Sequence, residues 1–269
     1  MTHRLDLKTP IVMGILNVTP DSFADGGRYV DHTLALEYAK EMLDSGASII
    51  DVGGESTRPG ANTISAAEEL ERVLPIVQAL VLHGALVSID TSKATVMTAC
   101  SKAGAQLIND VRALREPGAL AAAAASEATI CLMHMKGDPS TMQNAPHYAN
   151  VSDEVIDFLR ARIAACVHAG INRERLLVDP GFGFGKSLQH NLTLLRELSS
   201  LEVLGLPMVV GLSRKSMLAT LTGRGVEERL AGSLALALAS LEGGARIIRT
   251  HDVAETVDAL KVWAAFRGG

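Results

Sequence analysis

The sequence predicts a single α/β domain over residues 1–269, folded as a barrel of eight parallel strands that alternate with helices, a (β/α)8 or TIM barrel. Eight short apolar runs recur along the chain, separated by segments of helical periodicity. Nearly every run ends in a polar or charged residue. The length agrees, because a barrel of this kind typically occupies about 250 residues.

The order of these runs and helical segments defines the predicted elements. The strands are Ile11–Leu16, Ser48–Val52, Leu86–Ile89, Gln106–Ile108, Thr129–Met133, Leu176–Val178, Met208–Val210 and Arg246–Ile248. Helical periodicity is found over Thr33–Leu43, Ala66–Leu82, Ser152–Ala169, Leu188–Leu198 and Glu227–Leu241. Two connections, from Val18 to about His32 and from Gly53 to about Ser65, exceed the usual length of a βα loop. They are predicted to be long loops that act as lids, with ordinary surface excursions as the alternative.

Composition excludes several classes of protein. The net charge of -5, the scattered basic residues and an aromatic content of 3% argue against a nucleic-acid-binding surface. No segment is apolar enough to span a membrane, and the amino terminus lacks a signal pattern, so a cytoplasmic protein is expected. Cys100, Cys131 and Cys166 lie too far apart for a zinc motif or a disulfide framework.

The polar residues at the strand ends predict a site, because the carboxyl ends of all barrel strands meet on one face. Asp90, Asn109 and Asp179 offer hydrogen-bond acceptors suited to a flat heterocycle rich in N–H groups, and Lys215 could donate to a ring carbonyl. Arg249, His251 and Asn17 follow the last and first strands, which are neighbours in a closed barrel. These residues could bind a phosphate or diphosphate with a divalent ion.

The segment Asp179-Pro-Gly-Phe-Gly-Phe-Gly-Lys186 joins one strand to a glycine-rich loop. Its spacing excludes a P-loop, because the first glycine of that motif falls on Pro180. It also excludes the dinucleotide fingerprint, whose last two glycines are separated by two residues rather than one. The loop is therefore interpreted as one that lets backbone approach a ligand closely. His134 and Cys131 are interpreted as structural.

Seven segments together resemble bacterial dihydropteroate synthases over nearly the whole length. They are Asn17-Val-Thr-Pro-Asp-Ser-Phe23, Gly53-Gly-Glu-Ser-Thr-Arg-Pro-Gly60, Asp90-Thr-Ser-Lys93, Asn109-Asp110, Asp179-Pro-Gly-Phe-Gly-Phe184, Ser213-Arg-Lys-Ser216 and Arg249-Thr-His-Asp252. The resemblance implies condensation of a dihydropterin-methyl diphosphate with 4-aminobenzoate, in folate biosynthesis, with Mg²⁺ as the cofactor. It also implies small-molecule substrates, sulfonamide sensitivity and a homodimer formed through late helices.

The same resemblance implies the following roles. The pterin is expected to contact Asp90, Asn109, Val111, Met133, Asp179, Phe184, Gly211 and Lys215. The diphosphate is expected at Asn17, Thr57, Arg249 and His251, with Asn17 also binding the metal. The 4-aminobenzoate is expected at Phe23, Arg58, Pro59, Ser213, Lys215 and Ser216. Asp90, Lys215 and Arg249 are the expected catalytic residues.

Two other functions share part of this pattern. A pterin-binding methyltransferase domain resembles the same barrel and its pterin contacts, but it needs no 4-aminobenzoate loop. A noncatalytic pterin-binding paralogue needs neither that loop nor the diphosphate residues. The presence of Phe23, Arg58 and Ser213 in their segments favours the synthase over both.

Overall fold

The computed structural model describes residues 5–19, 27–56, 63–138, 142–143 and 145–268, with only the backbone described for residues 27–31. Eight parallel strands form one closed barrel in sequence order. Strand β8 returns to β1 with Ile11 opposite Ile247 and Gly14 opposite Thr250. The predicted (β/α)8 barrel is confirmed.

The strands have the following bounds: β1 Ile11–Asn17, β2 Ile49–Gly53, β3 Val87–Asp90, β4 Leu107–Asp110, β5 Thr129–Met133, β6 Leu176–Asp179, β7 Met208–Val210 and β8 Ala245–Thr250. Each predicted strand lies within a residue or two of its observed bounds. Because the strands are buried on both faces, they show continuous apolar runs rather than alternation. The register places Gly53 beside Asp90, Asp90 beside Asn109, and Met133 beside Asp179. One end of the barrel therefore collects the polar residues.

The helices pack outside the strands: α1 Gly27–Asp44, α2 Ala66–Leu82, α3 Ala94–Lys102, α4 Ala119–Ala125, α5 Val151–His168, α6 Leu188–Arg196, α7 Ser216–Thr222, α8 Leu230–Glu242 and α9 Val253–Arg267. Short 3₁₀ turns precede β6, follow α6 and precede α8. Side-chain caps fix several helix starts. Ser65 accepts from the Glu68 amide before α2, and Asn150 accepts from the Ser152 and Asp153 amides before α5.

The prediction was wrong about some boundaries. Helix α1 begins at Gly27, so the loop after β1 is shorter than the predicted Val18–His32. The first turns of α1 were missed because Arg28, Asp31 and His32 interrupt the apolar periodicity there. Helices α3, α4, α7 and α9 were not singled out; α4 is nearly all alanine and carries no periodic signal. The long connection after β2 is confirmed, since α2 begins only at Ala66.

Two apolar clusters hold the barrel together. One lies inside the amino-terminal half of the barrel and contains Met13, Ile49, Leu107, Cys131, Leu177, Val209 and Ile247. Leu5 and Leu7 of the amino-terminal segment pack against this cluster. The larger cluster fills the space between strands and helices. Apolar side chains therefore fill the amino-terminal half of the barrel interior. The polar residues lie at the opposite, carboxyl end.

Candidate active site

A charge cluster lies at the carboxyl end of the barrel. Arg249 on β8 donates from Nε to Asp51 Oδ2 at 2.6 Å and from one Nη to Asp90 Oδ2 at 2.7 Å. Burial lowers the pKa of Arg249, but Asp51 and Asp90 outweigh this and raise it, so the guanidinium stays charged. Burial raises the pKa of Asp90, and Arg249 opposes that rise. The cluster joins β2, β3 and β8 across the barrel mouth.

Asn109 and Asp179 supply two further polar side chains of the predicted site. The Asn109 amide donates from Nδ2 to Asp51 Oδ2 at 3.0 Å, which directs its amide oxygen to the opposite side. Asp179 is buried, and its Oδ1 accepts from the Gly181 amide at 2.7 Å. Burial raises the pKa of Asp179 to about 6, against the effects of the Gly181 amide and Lys215. The carboxylate is therefore ionised in most molecules at neutral pH.

An apolar wall stands beside these acceptors. Val111, Met133, Met135 and Met142 form one buried apolar cluster, and Phe184 packs against it. The Lys215 ammonium lies 4.3 Å from the centre of the Phe184 ring, a cation–π contact. Burial and the Arg249 charge lower the pKa of Lys215 to about 8, which leaves it mainly protonated at neutral pH. A flat ring could lie between the wall and the charged groups.

Two glycines keep space open at the mouth. A Cβ atom at Gly53 would lie 3.7 Å from Asn17 Oδ1 and 3.8 Å from Asp90 Oδ2. Those two oxygens therefore face the same space beside Gly53. A Cβ at Gly211 would lie 3.7 Å from the Arg249 side chain. Among the described residues, no three His, Cys, Asp or Glu side chains are grouped to hold a metal ion.

Ser213 and His251 connect the loops after β7 and β8. The Ser213 hydroxyl lies 3.0 Å from His251 Nδ1 and accepts from the His251 amide at 3.2 Å. Burial and the Arg249 charge lower the pKa of His251 to about 4, so its imidazole is neutral at neutral pH. Ser216 is exposed at the first position of α7. Phe23, Thr57, Arg58 and Pro59 lie outside the described residues.

One network at the base of the second long loop was missed from the sequence. The Lys93 ammonium donates to Glu55 at 2.9 Å and to the fully buried Glu69 at 2.6 Å. The other oxygen of Glu55 accepts from the Ile64 amide at 2.9 Å. Glu55 thereby ties the outgoing and returning stems of the loop together. The sequence signal that could have indicated this network was the position of Glu55, two residues after Gly53 at the end of β2.

A cavity of about 980 Å³ lies at the opposite, amino-terminal end of the barrel. Its lining includes Leu5, Gln106, Arg173 and Arg175. The two guanidinium groups donate to backbone carbonyls of Leu204, Ala123 and Ala128, so they serve the fold. The converging titratable groups are at the carboxyl end, where barrel enzymes carry their sites. We therefore assign the active site to the carboxyl end.

Comparison with known proteins shows the family to which the chain belongs. Residues 13–251 match the pterin-binding enzyme family. The dihydropteroate synthase of Escherichia coli strain K12 is 54% identical over 259 residues, covering 96% of this chain and 92% of that protein. The chain belongs to the dihydropteroate synthase family. It is therefore an enzyme of the transferase class with a barrel fold.

Solved structures of the family superpose closely on the barrel. The Yersinia pestis dihydropteroate synthase with a sulfonamide drug complex matches with a TM-score of 0.94 and 52% identity, covering 98% of this chain and 97% of that one. The Xanthomonas albilineans dihydropteroate synthase in complex with 7,8-dihydropteroate matches with a TM-score of 0.88 and 44% identity, covering 98% of this chain and 96% of that one.

None of the described helices is long and apolar enough to cross a membrane.

Proposed function

We propose that the chain condenses a (7,8-dihydropterin-6-yl)methyl diphosphate with 4-aminobenzoate, which yields 7,8-dihydropteroate and diphosphate. The observation that carries this is the grouping of Asp179, Asn109 and Asp90 beside an apolar wall at the carboxyl end. Membership in the dihydropteroate synthase family supports the same reaction.

The pterin subsite lies between the acceptors and the wall in this proposal. Asp179 and Asn109 bind the aminopyrimidine edge, where a carboxylate and an amide oxygen match adjacent N–H donors. Asp90 accepts from a ring N–H on the other side, and Lys215 donates to the ring carbonyl and N5. Val111, Met133, Phe184 and Gly211 line the ring faces. His134 and Cys131 make no direct contact with the pterin in this proposal.

The diphosphate subsite uses groups from both ends of the chain. The diphosphate oxygens are bound by Arg249 on β8 and His251 directly after it, together with Asn17 at the end of β1 and Thr57 after β2. The Asn17 amide oxygen suits Mg²⁺, which takes oxygen ligands and is commonly held by one or two protein groups plus substrate phosphates. A bound ion would supply positive charge to the diphosphate as a leaving group.

The second substrate is proposed to bind above the pterin. Phe23, Arg58 and Pro59 from the two long loops, with Ser213, Lys215 and Ser216 after β7, form the 4-aminobenzoate subsite. The Yersinia pestis relative is described with a sulfonamide drug, and we extend that to this chain. Sulfonamides should compete with 4-aminobenzoate here.

The proposed mechanism begins with loss of the leaving group. The bond between the methylene carbon and the diphosphate oxygen breaks, and its electron pair leaves with the diphosphate. The pterin ring spreads the resulting cation, while Asp90 polarises the ring N–H. Arg249 stabilises the leaving charge from a fixed position. The 4-aminobenzoate nitrogen then forms the new C–N bond and gives up one proton to the released diphosphate or to water, so no side-chain nucleophile is required.

A turnover assay tests this function directly. The protein should form dihydropteroate only when both substrates and Mg²⁺ are present. A pterin-binding methyltransferase domain or a noncatalytic paralogue would bind the pterin yet release no diphosphate. Pterin binding without any turnover would therefore favour those alternatives.

Ligand binding should be ordered. Thr57 and Asn17, assigned to the diphosphate, adjoin the segments that carry Arg58 and Phe23. The first ligand would therefore fix the residues that hold the second, and 4-aminobenzoate would gain affinity by that amount. Calorimetric titration of 4-aminobenzoate should give little heat with the free protein and clear binding with pterin, diphosphate and Mg²⁺ present. Equal affinity in both titrations would contradict ordered binding.

The homodimer and the cytoplasmic location remain part of the proposal. Leu234, Leu236 and Leu238 of α8 are only partly buried, as expected for a helix that could pack against a second subunit. Exposed Leu221 and Val226 lie on the neighbouring segments. Sedimentation should give a dimer at micromolar concentration. A monomer alone under those conditions would remove the dimer.

A further inference from the structure

Lys186 is a buried lysine under the glycine-rich loop, and none of the roles proposed above uses it. It is 2% exposed and follows Asp179 by seven positions. A buried ammonium group costs considerable free energy unless its N–H donors are all bonded. Its partners therefore indicate what it holds in place.

Three acceptors surround the Lys186 ammonium. Nζ lies 2.8 Å from Nδ1 of His134, 2.8 Å from the carbonyl oxygen of Gly181 and 3.2 Å from that of Phe184. Burial and the adjacent Lys186 charge lower the pKa of His134 to about 2, so its ring is neutral. Nδ1 can then accept, and all three ammonium donors are used. Two of the acceptors belong to the loop, and the third follows β5.

The loop lies directly on the chain after β5. Gly181 has a positive φ of 67°, and a Cβ there would lie 1.9 Å from the His134 carbonyl oxygen. Gly185 has a φ of 64°, and a Cβ there would lie 2.2 Å from the Lys136 carbonyl oxygen. Only glycine fits such positions. The ammonium thus bonds a loop whose backbone packs closely on the chain after β5.

The same loop presents two groups of the pterin subsite. The Gly181 amide donates to Asp179 Oδ1, and the Phe184 ring contacts Lys215. Lys186 bonds the carbonyls of both Gly181 and Phe184. We propose that Lys186 is a positioning residue for pterin recognition, whose ammonium group holds these two residues so that Asp179 and the Phe184 ring face the pterin. This proposal rests on the pterin subsite proposed above.

The charges around Lys186 add a second, independent consequence. Burial lowers the pKa of Lys186 to about 7, Asp179 raises it, and Lys215 lowers it further. His134 on the remaining side is neutral, and its own charged neighbours are Lys136 and Arg115. In return, Lys186 lowers the pKa of Asp179. Removing the lysine charge would therefore raise the Asp179 pKa, and the ionised carboxylate would form only at higher pH.

The test compares Lys186→Met with Lys136→Met. Methionine keeps the apolar stem but removes the three donors and the charge. Lys136 is a matched control, because it lies on the adjoining loop but its ammonium bonds the His147 carbonyl and Glu154 at the surface. Lys186→Met should weaken pterin binding by at least about tenfold, the effect of losing hydrogen bonds to a charged group. The KM for 4-aminobenzoate should change by less than about twofold. Lys136→Met should match the unmodified protein.

The pH dependence of pterin affinity gives a readout that loss of packing alone would not move. Affinity should fall in acid as Asp179 is protonated, and in Lys186→Met that fall should begin at a higher pH. If Lys186→Met does not fold, Lys186→Gln, which keeps N–H donors without the charge, should show the same pH shift. Folding of each variant is checked by circular dichroism.

Asp179→Ala separates this proposal from the subsite on which it rests. Suppose that Asp179→Ala binds pterin more weakly, while Lys186→Met keeps its pterin affinity and loses that affinity in acid at the same pH as the unmodified protein. That result would overturn the role of Lys186 alone. Equal increases in KM for both substrates would also overturn it, because they indicate a general loss of structure. Unchanged pterin binding in Asp179→Ala would instead remove the pterin subsite.

Discussion

Replacing Asp179 by alanine should weaken pterin binding by about 2–5 kcal/mol, the range for truncating one partner of a buried charged hydrogen bond. Asp179 is 5% exposed, and its second oxygen is not taken by the Gly181 amide. The variant should remain folded, since β6 ends at this residue and its apolar side chains are unchanged. Isothermal titration with a bare pterin measures the loss.

Asp157→Ala is a suitable control for that measurement. Asp157 lies on α5 with its side chain 73% exposed, paired with Arg160. Exposed pairs of this kind contribute little stability, so the control should bind pterin normally. A folded Asp179→Ala protein with unchanged pterin affinity would show that the ring binds elsewhere.

Arg249→Met should have two large effects. Binding of the diphosphate substrate should fall much more than binding of a bare pterin, because the guanidinium is assigned to the diphosphate. The fold should also lose about 3–5 kcal/mol, since removing the arginine leaves Asp51 and Asp90 buried without their counter-ion. Denaturant unfolding measures the second effect and paired titrations measure the first. Equal losses for the two ligands would contradict the assignment.

The pH dependence and a double variant show whether unpaired charge causes the loss of stability. Without Arg249 the folded-state pKa of Asp90 rises further above its unfolded value. Stability is then lost as pH rises from the unfolded pKa of Asp90 to its higher folded pKa, so the difference from the unmodified protein should narrow in acid. Asp51→Asn in the Arg249→Met background removes one unpaired carboxylate and should recover part of the stability. No recovery would indicate lost packing instead.

The barrel was predictable because its signals are local. Each strand is a short apolar run, and the polar residue that ends it, such as Asp90 or Asp179, marks the carboxyl end. Closure of the barrel then brings those residues together without any long-range information. The first turns of α1 were missed since they carry no apolar periodicity, and α4 was missed because its sequence, nearly all alanine, has no alternation of apolar and polar positions.

The polar partners inside the site were not predictable in the same way. Asp51 was not among the predicted site residues, yet its Oδ2 accepts from both Arg249 and Asn109. The Lys186 ammonium bonds His134, which lies 52 positions away. Such contacts depend on side-chain directions set by the register of several strands. A sequence pattern gives the residue types at the strand ends but not which of them bond one another.

A structure of the protein with a bound pterin tests the central claim most directly. The account predicts the aminopyrimidine edge within hydrogen-bond distance of Asp179 and Asn109, with the ring against Met133 and Phe184. It also predicts that the cavity of about 980 Å³ at the amino-terminal end stays free of pterin. A pterin bound only in that cavity, beside Gln106 and Arg175, would contradict the account.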